Sequence, residues 1–251
     1  MALAKNRTKK IIVAGSLVVE AIYPRITTKD GPAARAAKSK ASSEAQKRMN
    51  RIYSYQKLEL LLAANFRPGD LLPVFTYAEE YLPASRKEAS DRLKAWRRKF
   101  SAARILGGQE LKMIWNIEHQ HGDGRWHHHS VVNACGDDFE LIQKLWPWGR
   151  VEIRELKIDK EHSYEGLARY LAKEGGDKIG QRSWSYTRNL QQPEVETFRV
   201  EADSTVRVPK GGISLLDQRG KDQYSAWQVV KYLAPGWDKH DRPRARRRRR
   251  R

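Results

Sequence analysis

The sequence predicts an α+β fold in which a central antiparallel sheet carries helices on one face. Hydrophobic residues make up 39% of the 251 residues, which is enough apolar material for a core. Between Leu71 and Gly176 the hydrophobic patterns follow the order β-α-β-β-α-β-α, with glycine, proline and aspartate turns between them. A split βαβ arrangement is the simplest architecture that accommodates this order.

Residues 1–66 are predicted as a basic extension that contains a hairpin and helical segments. Lys9 to Ile26 alternates β-branched residues around Gly15-Ser16, which is typical of a short hairpin. Gly31 to Asn50 is rich in alanine, lysine and serine, so it is either a solvated basic helix or a linker. Arg51 to Asn65 places large apolar residues at helical spacing, which predicts a helix with a core-facing stripe.

Residues 67–180 are predicted as the central domain. Its first strand is Leu71 to Tyr77. Ser85 then opens a long basic helix that reaches about Arg104, and Glu88 supplies the partner of a capping box. The remaining predicted elements are strands at Leu111–Glu118, Trp126–Ala134 and Arg150–Ile158, and helices at Asp137–Leu145 and His162–Glu174.

Residues 181–241 are predicted as an arginine-rich, aromatic extension. Gly180 to Pro209 has no strand partner that can be read from the sequence, and Asp222 to Leu233 is predicted as a final helix. The last ten residues, 242–251, include eight arginines and no acid. Such a block repels itself, so we expect a tail that is disordered until it meets phosphate; a cloning or frameshift remnant is the alternative.

The composition favours a polyanionic partner. The net charge is +19 and the sequence pI is near 10.1. The single cysteine, Cys135, excludes a disulfide framework and fits a reducing compartment. No stretch approaches the ~20 apolar residues of a bilayer span, so we expect a cytoplasmic protein without a membrane partner. No glycine-rich loop ends in Lys-Ser or Lys-Thr, which argues against a nucleotide cofactor.

Five of the seven histidines lie between His119 and His129. Asp123-Gly124 is a strong signal for a two-residue hairpin turn, and a hairpin centred there would place Glu118 opposite His129. A three-residue loop would shift this register. His119 and His121 form a second spaced pair, but that pair lies at the turn, where the geometry is loose.

A divalent cation site is predicted on the second strand of this hairpin. Because the strand period is two, His127 and His129 share one face while His128 points to the other. With Glu118 they form a patch of two imidazoles and one carboxylate, for which we expect Mn²⁺ or Mg²⁺ as the cofactor. A solvated histidine-rich loop that chelates metals adventitiously is the alternative.

The helix predicted from His162 to Glu174 carries a second candidate group. Leu167 and Leu171 define its buried stripe, while Tyr170 and Lys173 share a different face. A tyrosine must lose its proton to attack phosphorus, and a neighbouring positive charge favours the phenolate. Lysine also stabilises charge that develops on a phosphate. Tyr170 and Lys173 are therefore predicted as catalytic residues, with an ordinary half-buried tyrosine as the alternative.

Together these residues resemble the HUH endonucleases, the nicking and joining enzymes of rolling-circle replication. One tyrosine on the catalytic face resembles their single-tyrosine replication class. The flanks AGSLVVEAIYP and GQRSWSYTRNLQQP are similar to replication-associated proteins of small single-stranded DNA phages. The segments that carry the resemblance are LLPVFTY (Leu71–Tyr77), WNIE (ending at Glu118), WHHHSVV (Trp126–Val132) and ARYLAKE (Ala168–Glu174).

The resemblance implies an RRM-like HUH fold and a transesterification. It implies that Glu118, His127 and His129 bind the cation, and that Tyr170 attacks a phosphate to leave a 5′-phosphotyrosyl link and a free 3′-hydroxyl primer. Lys173 would orient the phosphate. The implied substrate is single-stranded or extruded origin DNA, and the implied partners are a host helicase and polymerase.

The DNA backbone is expected to follow the basic sheet face, steered by lysine and arginine. The candidate contacts are Arg51, Lys57, Arg97, Arg98, Arg169, Arg182 and Arg188. A single-tyrosine transposase and a mobilisation relaxase are the alternatives within the same chemistry. A non-catalytic nucleic-acid-binding or packaging protein is the alternative of another class, and it explains the charge but not the order of the site residues.

Overall fold

The computed structural model describes residues 7–24, 44–119, 124–136, 138–158, 163–173, 182–221 and 226–237. They form four α-helices and ten strands in two five-stranded antiparallel sheets, which confirms the predicted α+β class. None of the described helices is long and apolar enough to cross a membrane. The arginine tail, the turn residue Asp123 and residues 31–43 of the basic stretch lie outside the described residues.

The element bounds follow the predicted order through the middle of the chain. The helices are α1 (Glu44–Asn65), α2 (Arg86–Leu106), α3 (Asp138–Lys144) and α4 (Glu165–Leu171). The strands are β1 (Arg7–Ala14), β2 (Leu17–Pro24), β3 (Leu71–Phe75), β4 (Met113–Glu118), β5 (His127–Val132), β6 (Val151–Glu155), β7 (Ser185–Tyr186), β8 (Glu194–Val200), β9 (Ile213–Lys221) and β10 (Ala226–Leu233).

The central sheet has the order β6-β3-β5-β4-β7, and it is covered by helices on both faces rather than on one. Helices α1 and α4 pack on one face, and α2 and α3 pack on the other. The reason lies in the middle strands, where successive residues are apolar. Met113 and Ile114 are each 0% exposed although they point to opposite faces. Each face therefore needs its own helical cover.

Helix α1 supplies most of the cover on the first face. Leu58, Leu61 and Leu62 are fully buried against the same cluster as Ile114 and Val131 of the sheet. Burial of a leucine side chain contributes about 1.5–3 kcal/mol. The helix predicted from Arg51 thus exists, begins earlier at Glu44, and belongs to the core of the central sheet.

Helix α2 begins at the predicted cap, but the returning hydrogen bond of the capping box involves Ala84 instead of Ser85. The hydroxyl of Ser85 accepts a hydrogen bond from the backbone N–H of Glu88, and the Glu88 carboxylate accepts one from the N–H of Ala84. The helix ends at Gly107-Gly108, where Gly108 has a φ of 70° that favours glycine. Trp96 and Phe100 then fill the second face of the central sheet.

The terminal sheet, with the order β8-β1-β2-β10-β9, joins both ends of the described chain. The predicted N-terminal hairpin is its centre, since β1 and β2 pair along their whole length. The helix predicted from Asp222 to Leu233 is wrong, because its described residues 226–233 form β10 and pair with both β2 and β9. Strand partners so distant in sequence decide the conformation of this segment.

A buried charge cluster connects the terminal sheet to α1 and α4. The Lys231 ammonium on β10 lies 3.0 Å from a Glu59 carboxylate oxygen on α1 and 2.5 Å from a Glu165 oxygen on α4. Burial disfavours the charge, but the hydrogen bond to Glu165 and the charge of Glu59 outweigh it, so the pKa of Lys231 is raised. The cluster fixes the start of α4 against the rest of the molecule.

Candidate active site

The hairpin of β4 and β5 has a register that differs by two residues from the predicted one. Glu118 lies opposite His127, and Asn116 lies opposite His129, so the predicted pairing of Glu118 with His129 is wrong. Pairing stops at Glu118 and His127, well short of the predicted two-residue turn. Because side chains alternate with period two, a shift of two residues keeps Glu118, His127 and His129 on one face.

Four of the predicted site residues contact one another on this face. Glu118 lies at the centre: one carboxylate oxygen is 2.6 Å from Nε2 of His129, and the other is 2.6 Å from Nζ of Lys173. The Tyr170 hydroxyl lies 3.3 Å from both ring nitrogens of His129. The Lys173 ammonium lies 4.5 Å from the centroid of the Tyr170 ring. Residues from β4, β5 and α4 thus meet around one carboxylate.

The side chains of this cluster differ in their exposure to solvent. The Glu118 side chain is 1% exposed and that of His129 is 10% exposed, whereas that of Lys173 is 39% exposed. Tyr170 is half-buried. A carboxylate so deeply buried is tolerated because a cation and an imidazole contact it. The phenol and the ammonium form the outer part of the cluster, where a substrate phosphate has access.

Asn116 positions the end of the tyrosine helix, a role that the sequence pattern did not predict. Its side-chain amide, 1% exposed, donates a hydrogen bond of 3.0 Å to the carbonyl oxygen of Leu171. Its own Oδ1 is buried and has no hydrogen-bond partner among the described residues. The available signal was the position of Asn116 two residues before Glu118, because that spacing places an amide on the same face.

His128 belongs to the core on the other face, as predicted. Its Nε2 lies 2.7 Å from the Tyr77 hydroxyl, and its ring packs edge-on against Trp146. Complete burial, together with the neighbouring His129 and His127, lowers the pKa of His128 to about 3. The ring is therefore neutral at physiological pH, and its role is structural.

The donor set on the first face fits a divalent cation in its chemistry. One carboxylate and two imidazoles are ligands that leave room for water or substrate oxygens. In the part of the chain described, no three His, Cys, Asp or Glu side chains are already grouped as a cation site. The Lys173 ammonium and the His129 ring instead contact the two oxygens of Glu118. Cation binding would therefore require a rearrangement of Lys173 or His129.

The predicted DNA contacts do not share one sheet face. Arg51 and Arg169 line a groove of about 1200 Å³ between α1 and α4. A second cleft of about 740 Å³, beside α2 and β7, is lined by Arg97, Arg98 and Arg188, and an adjoining one of about 430 Å³ is lined by Arg182. Lys57 is exposed on α1 but does not line the α1–α4 groove.

Residues 71–175 match a family model that is described as replication-associated protein ORF2. The matched segment is less than half of the chain, and it contains Glu118, both candidate histidines, Tyr170 and Lys173. No curated protein and no solved structure matches the chain. The family match agrees with the replication part of the resemblance and supports a replication initiator role.

Proposed function

We propose that the chain initiates rolling-circle replication by nicking and rejoining single-stranded origin DNA, with Tyr170 as the nucleophile. The observation that carries this proposal is the contact of the Tyr170 hydroxyl with His129, beside Lys173 and the buried carboxylate of Glu118. The family match of residues 71–175 supports the replication context.

The proposed reaction exchanges one phosphodiester for another. A bond forms between the Tyr170 oxygen and the scissile phosphorus, and the bond from phosphorus to the 3′ oxygen breaks. The phenol gives up its proton and the departing 3′ oxygen gains one, so no proton is consumed overall. The products are a 5′-phosphotyrosyl link and a 3′-hydroxyl that primes synthesis. Because the two bonds are similar in energy, the same site rejoins strands without ATP.

Lys173 is the residue best placed to assist this attack. Its ammonium lies between a Glu118 oxygen and the ring of Tyr170, so one positive charge is near both the phenol and the entering phosphate. Positive charge at this point favours the phenolate and stabilises negative charge on the phosphate oxygens.

Glu118, His127 and His129 would hold the cofactor, for which Mn²⁺ or Mg²⁺ is proposed. A bound divalent cation supplies neutralisation of the charge on the scissile phosphate. Asn116 and the core leucine of α4, Leu171, keep Tyr170 beside these residues. Single-stranded or extruded origin DNA as substrate, a host helicase and polymerase as partners, and a cytoplasmic location belong to the same proposal.

The test is covalent capture of DNA by the full chain. Purified protein is incubated with Mn²⁺ or Mg²⁺ and a pool of random-sequence single-stranded oligonucleotides, and adducts are resolved under denaturing conditions. We expect a 5′-linked adduct with the native chain and none with Tyr170→Phe, while DNA binding persists.

Tyr164→Phe is the matched control. Tyr164 precedes α4, is 8% exposed and donates a hydrogen bond to the carbonyl oxygen of Phe66, away from the cluster around Glu118. This variant should retain the adduct. An undiminished adduct with Tyr170→Phe would reject Tyr170 as the nucleophile. Sequencing of the captured 5′ ends would identify the origin.

A further inference from the structure

We propose that the groove between α1 and α4, here the helix groove, binds the backbone of the DNA single strand next to the scissile phosphate. The identity of the strand rests on the proposed function, whereas the groove and its charge are properties of the structure. The groove is about 1200 Å³, and its walls include Arg48, Arg51 and Tyr55 from α1 and Arg169, Ala172 and Lys173 from the α4 end.

The α1 wall has a regular arrangement of cations and an aromatic ring. Arg48, Arg51 and Tyr55 are spaced three and four residues apart, so they lie on one helix face. They extend over about 10 Å of helix axis, at 1.5 Å per residue. That length matches about three phosphates at the ~3.4 Å axial spacing of one stacked strand. Lys57 on the same helix is rotated away from this face.

The charge of the groove favours an anion. Arg48, Arg51, Arg169 and Lys173 line it, and Glu44 is the acid among the lining residues. The Glu44 carboxylate itself is 2.8 Å from Lys47. Arg169 and Lys173 also contact acids behind the groove, Glu165 and Glu118 respectively. The four cations still outnumber the acid that lines the groove, so this surface concentrates phosphates, and the attraction weakens with added salt.

Apolar residues between the cations favour a single strand over a duplex. Met49, Ile52 and Tyr55 also line the groove, and Met49 is 41% exposed. The Arg169 guanidinium lies 4.0 Å from the centroid of the Tyr55 ring, which forms a flat polar-aromatic surface. Unpaired bases have faces that can pack on such a surface, whereas the bases of a duplex are stacked inside it.

The helix groove leads to the candidate nucleophile. Lys173 lines the groove and also contacts Glu118 and the ring of Tyr170. Both faces of the central sheet are covered by helices. A strand that follows α1 therefore reaches Tyr170 along the α4 end, instead of lying across the sheet face as the sequence suggested.

The experiment measures binding without requiring cleavage. A fluorescein-labelled oligothymidylate is titrated with the full chain over a series of salt concentrations, and anisotropy is recorded. The variant is Arg51→Gln combined with Arg169→Gln. We expect an affinity about tenfold lower, and a salt slope reduced by about 1.4, because each lost phosphate contact removes ~0.7.

Arg154→Gln is the control. Arg154 is 73% exposed on β6, at the edge of the central sheet opposite β7, and carries the same charge as each replaced arginine. It should bind like the native chain. Native-like binding by the double variant would overturn the proposal, as would an equal loss with Arg154→Gln. Equal competition by duplex DNA or by polyglutamate, at matched charge, would also overturn it.

The experiments distinguish failure of the Tyr170 proposal from failure of the helix-groove proposal. If Tyr170→Phe still forms the adduct but the double variant binds weakly, the helix groove stands and the nucleophile assignment falls. If adduct formation needs Tyr170 but the double variant binds normally, the nucleophile stands and the helix groove falls. Circular dichroism of each variant verifies that the fold is kept.

Discussion

Three successive histidines lie in two different environments in this chain. His127 and His129 share the face of Glu118, while His128 is fully buried on the opposite face against Tyr77. A neutral, buried ring cannot replace an accessible one, although the residue type is the same. Substitution of neighbouring residues should therefore affect different measurable properties.

We predict that His128→Ala destabilises the fold by about 2–4 kcal/mol, because it leaves a cavity and removes the partner of the Tyr77 hydroxyl. His127→Ala should change the free energy of unfolding much less, because His127 is only partly buried at the start of β5. Urea denaturation measures the first effect.

Covalent capture of DNA in Mn²⁺ tests the proposed cation ligands, His127 and His129. We expect His129→Ala and His127→Ala to lose the adduct while they remain folded. Full capture by either variant would argue against a cation site at these residues. Equal destabilisation by all three substitutions would remove the distinction between the core histidine and the site histidines.

Much of the site could be predicted at the residue scale, because strand alternation is local. Glu118, His127 and His129 share a face under any register shift of two residues, so the wrong pairing did not change the predicted grouping of these three side chains. Asn116 could not be assigned, because its role depends on a carbonyl of α4 that is distant in sequence.

At the scale of elements, the tyrosine helix is short and depends on its anchors. α4 has seven residues, shorter than the predicted His162–Glu174 helix, and an isolated helix of that length is unstable in water. Asn116 fixes its end, and Lys231 fixes its start through Glu165. The position of Tyr170 therefore depends on strands from both sheets.

The anchor at Glu165 predicts a pH-dependent stability. Burial alone would raise the pKa of Glu165, but hydrogen bonds from Lys231 and Arg169 outweigh it and lower the pKa below the ordinary 4.5. Glu165 therefore binds a proton more tightly in the unfolded chain than in the folded chain. The stabilisation is complete above about pH 4.5, and it is lost as the pH falls through the folded-state pKa.

We therefore expect Glu165→Gln to cost about 1 kcal/mol near neutral pH, since the site is partly solvent-screened. The cost should vanish in acid, where both states of the native chain are protonated. Urea denaturation at several pH values measures this difference. Glu152→Gln, which removes an exposed ion pair with Arg154, should show almost no pH-dependent difference. A cost at Glu165 that persists in acid would contradict the ion-pair explanation.

The elements that the sequence misassigned depend on distant partners. The stretch AWQVVKYL contains adjacent valines that suit a strand, yet Val229 and Leu233 also have helical spacing. Its true conformation is decided by β2, which lies about 200 residues earlier in the chain. The central elements, in contrast, were predictable because caps and turns such as Ser85 and Gly107-Gly108 mark them locally.

At the scale of the whole molecule, the family-matched segment lacks one of the helices that cover the central sheet. Residues 71–175 lack α1, and without it the first face of the central sheet would expose Ile114 and Val131. The three buried α1 leucines contribute about 1.5–3 kcal/mol each, and together about 5–9 kcal/mol, which is within the range of the total stability of a typical domain.

We predict that a fragment of residues 71–175 does not unfold cooperatively. Thermal unfolding followed by circular dichroism should show a broad transition and aggregation. A fragment of residues 7–237, which keeps all the described elements, should unfold in one sharp transition. A cooperative transition in the shorter fragment would show that α1 is dispensable for the fold.

The contact of Lys231 on β10 with Glu165 on α4 also affects the order in which the chain folds during synthesis. During synthesis the phenol-bearing helix leaves the ribosome well before Lys231, the residue that clamps its first turn. A nascent chain thus carries its candidate nucleophile without the clamp that orients it. The proposed nucleophile therefore reaches its final orientation only after β10 has been synthesised.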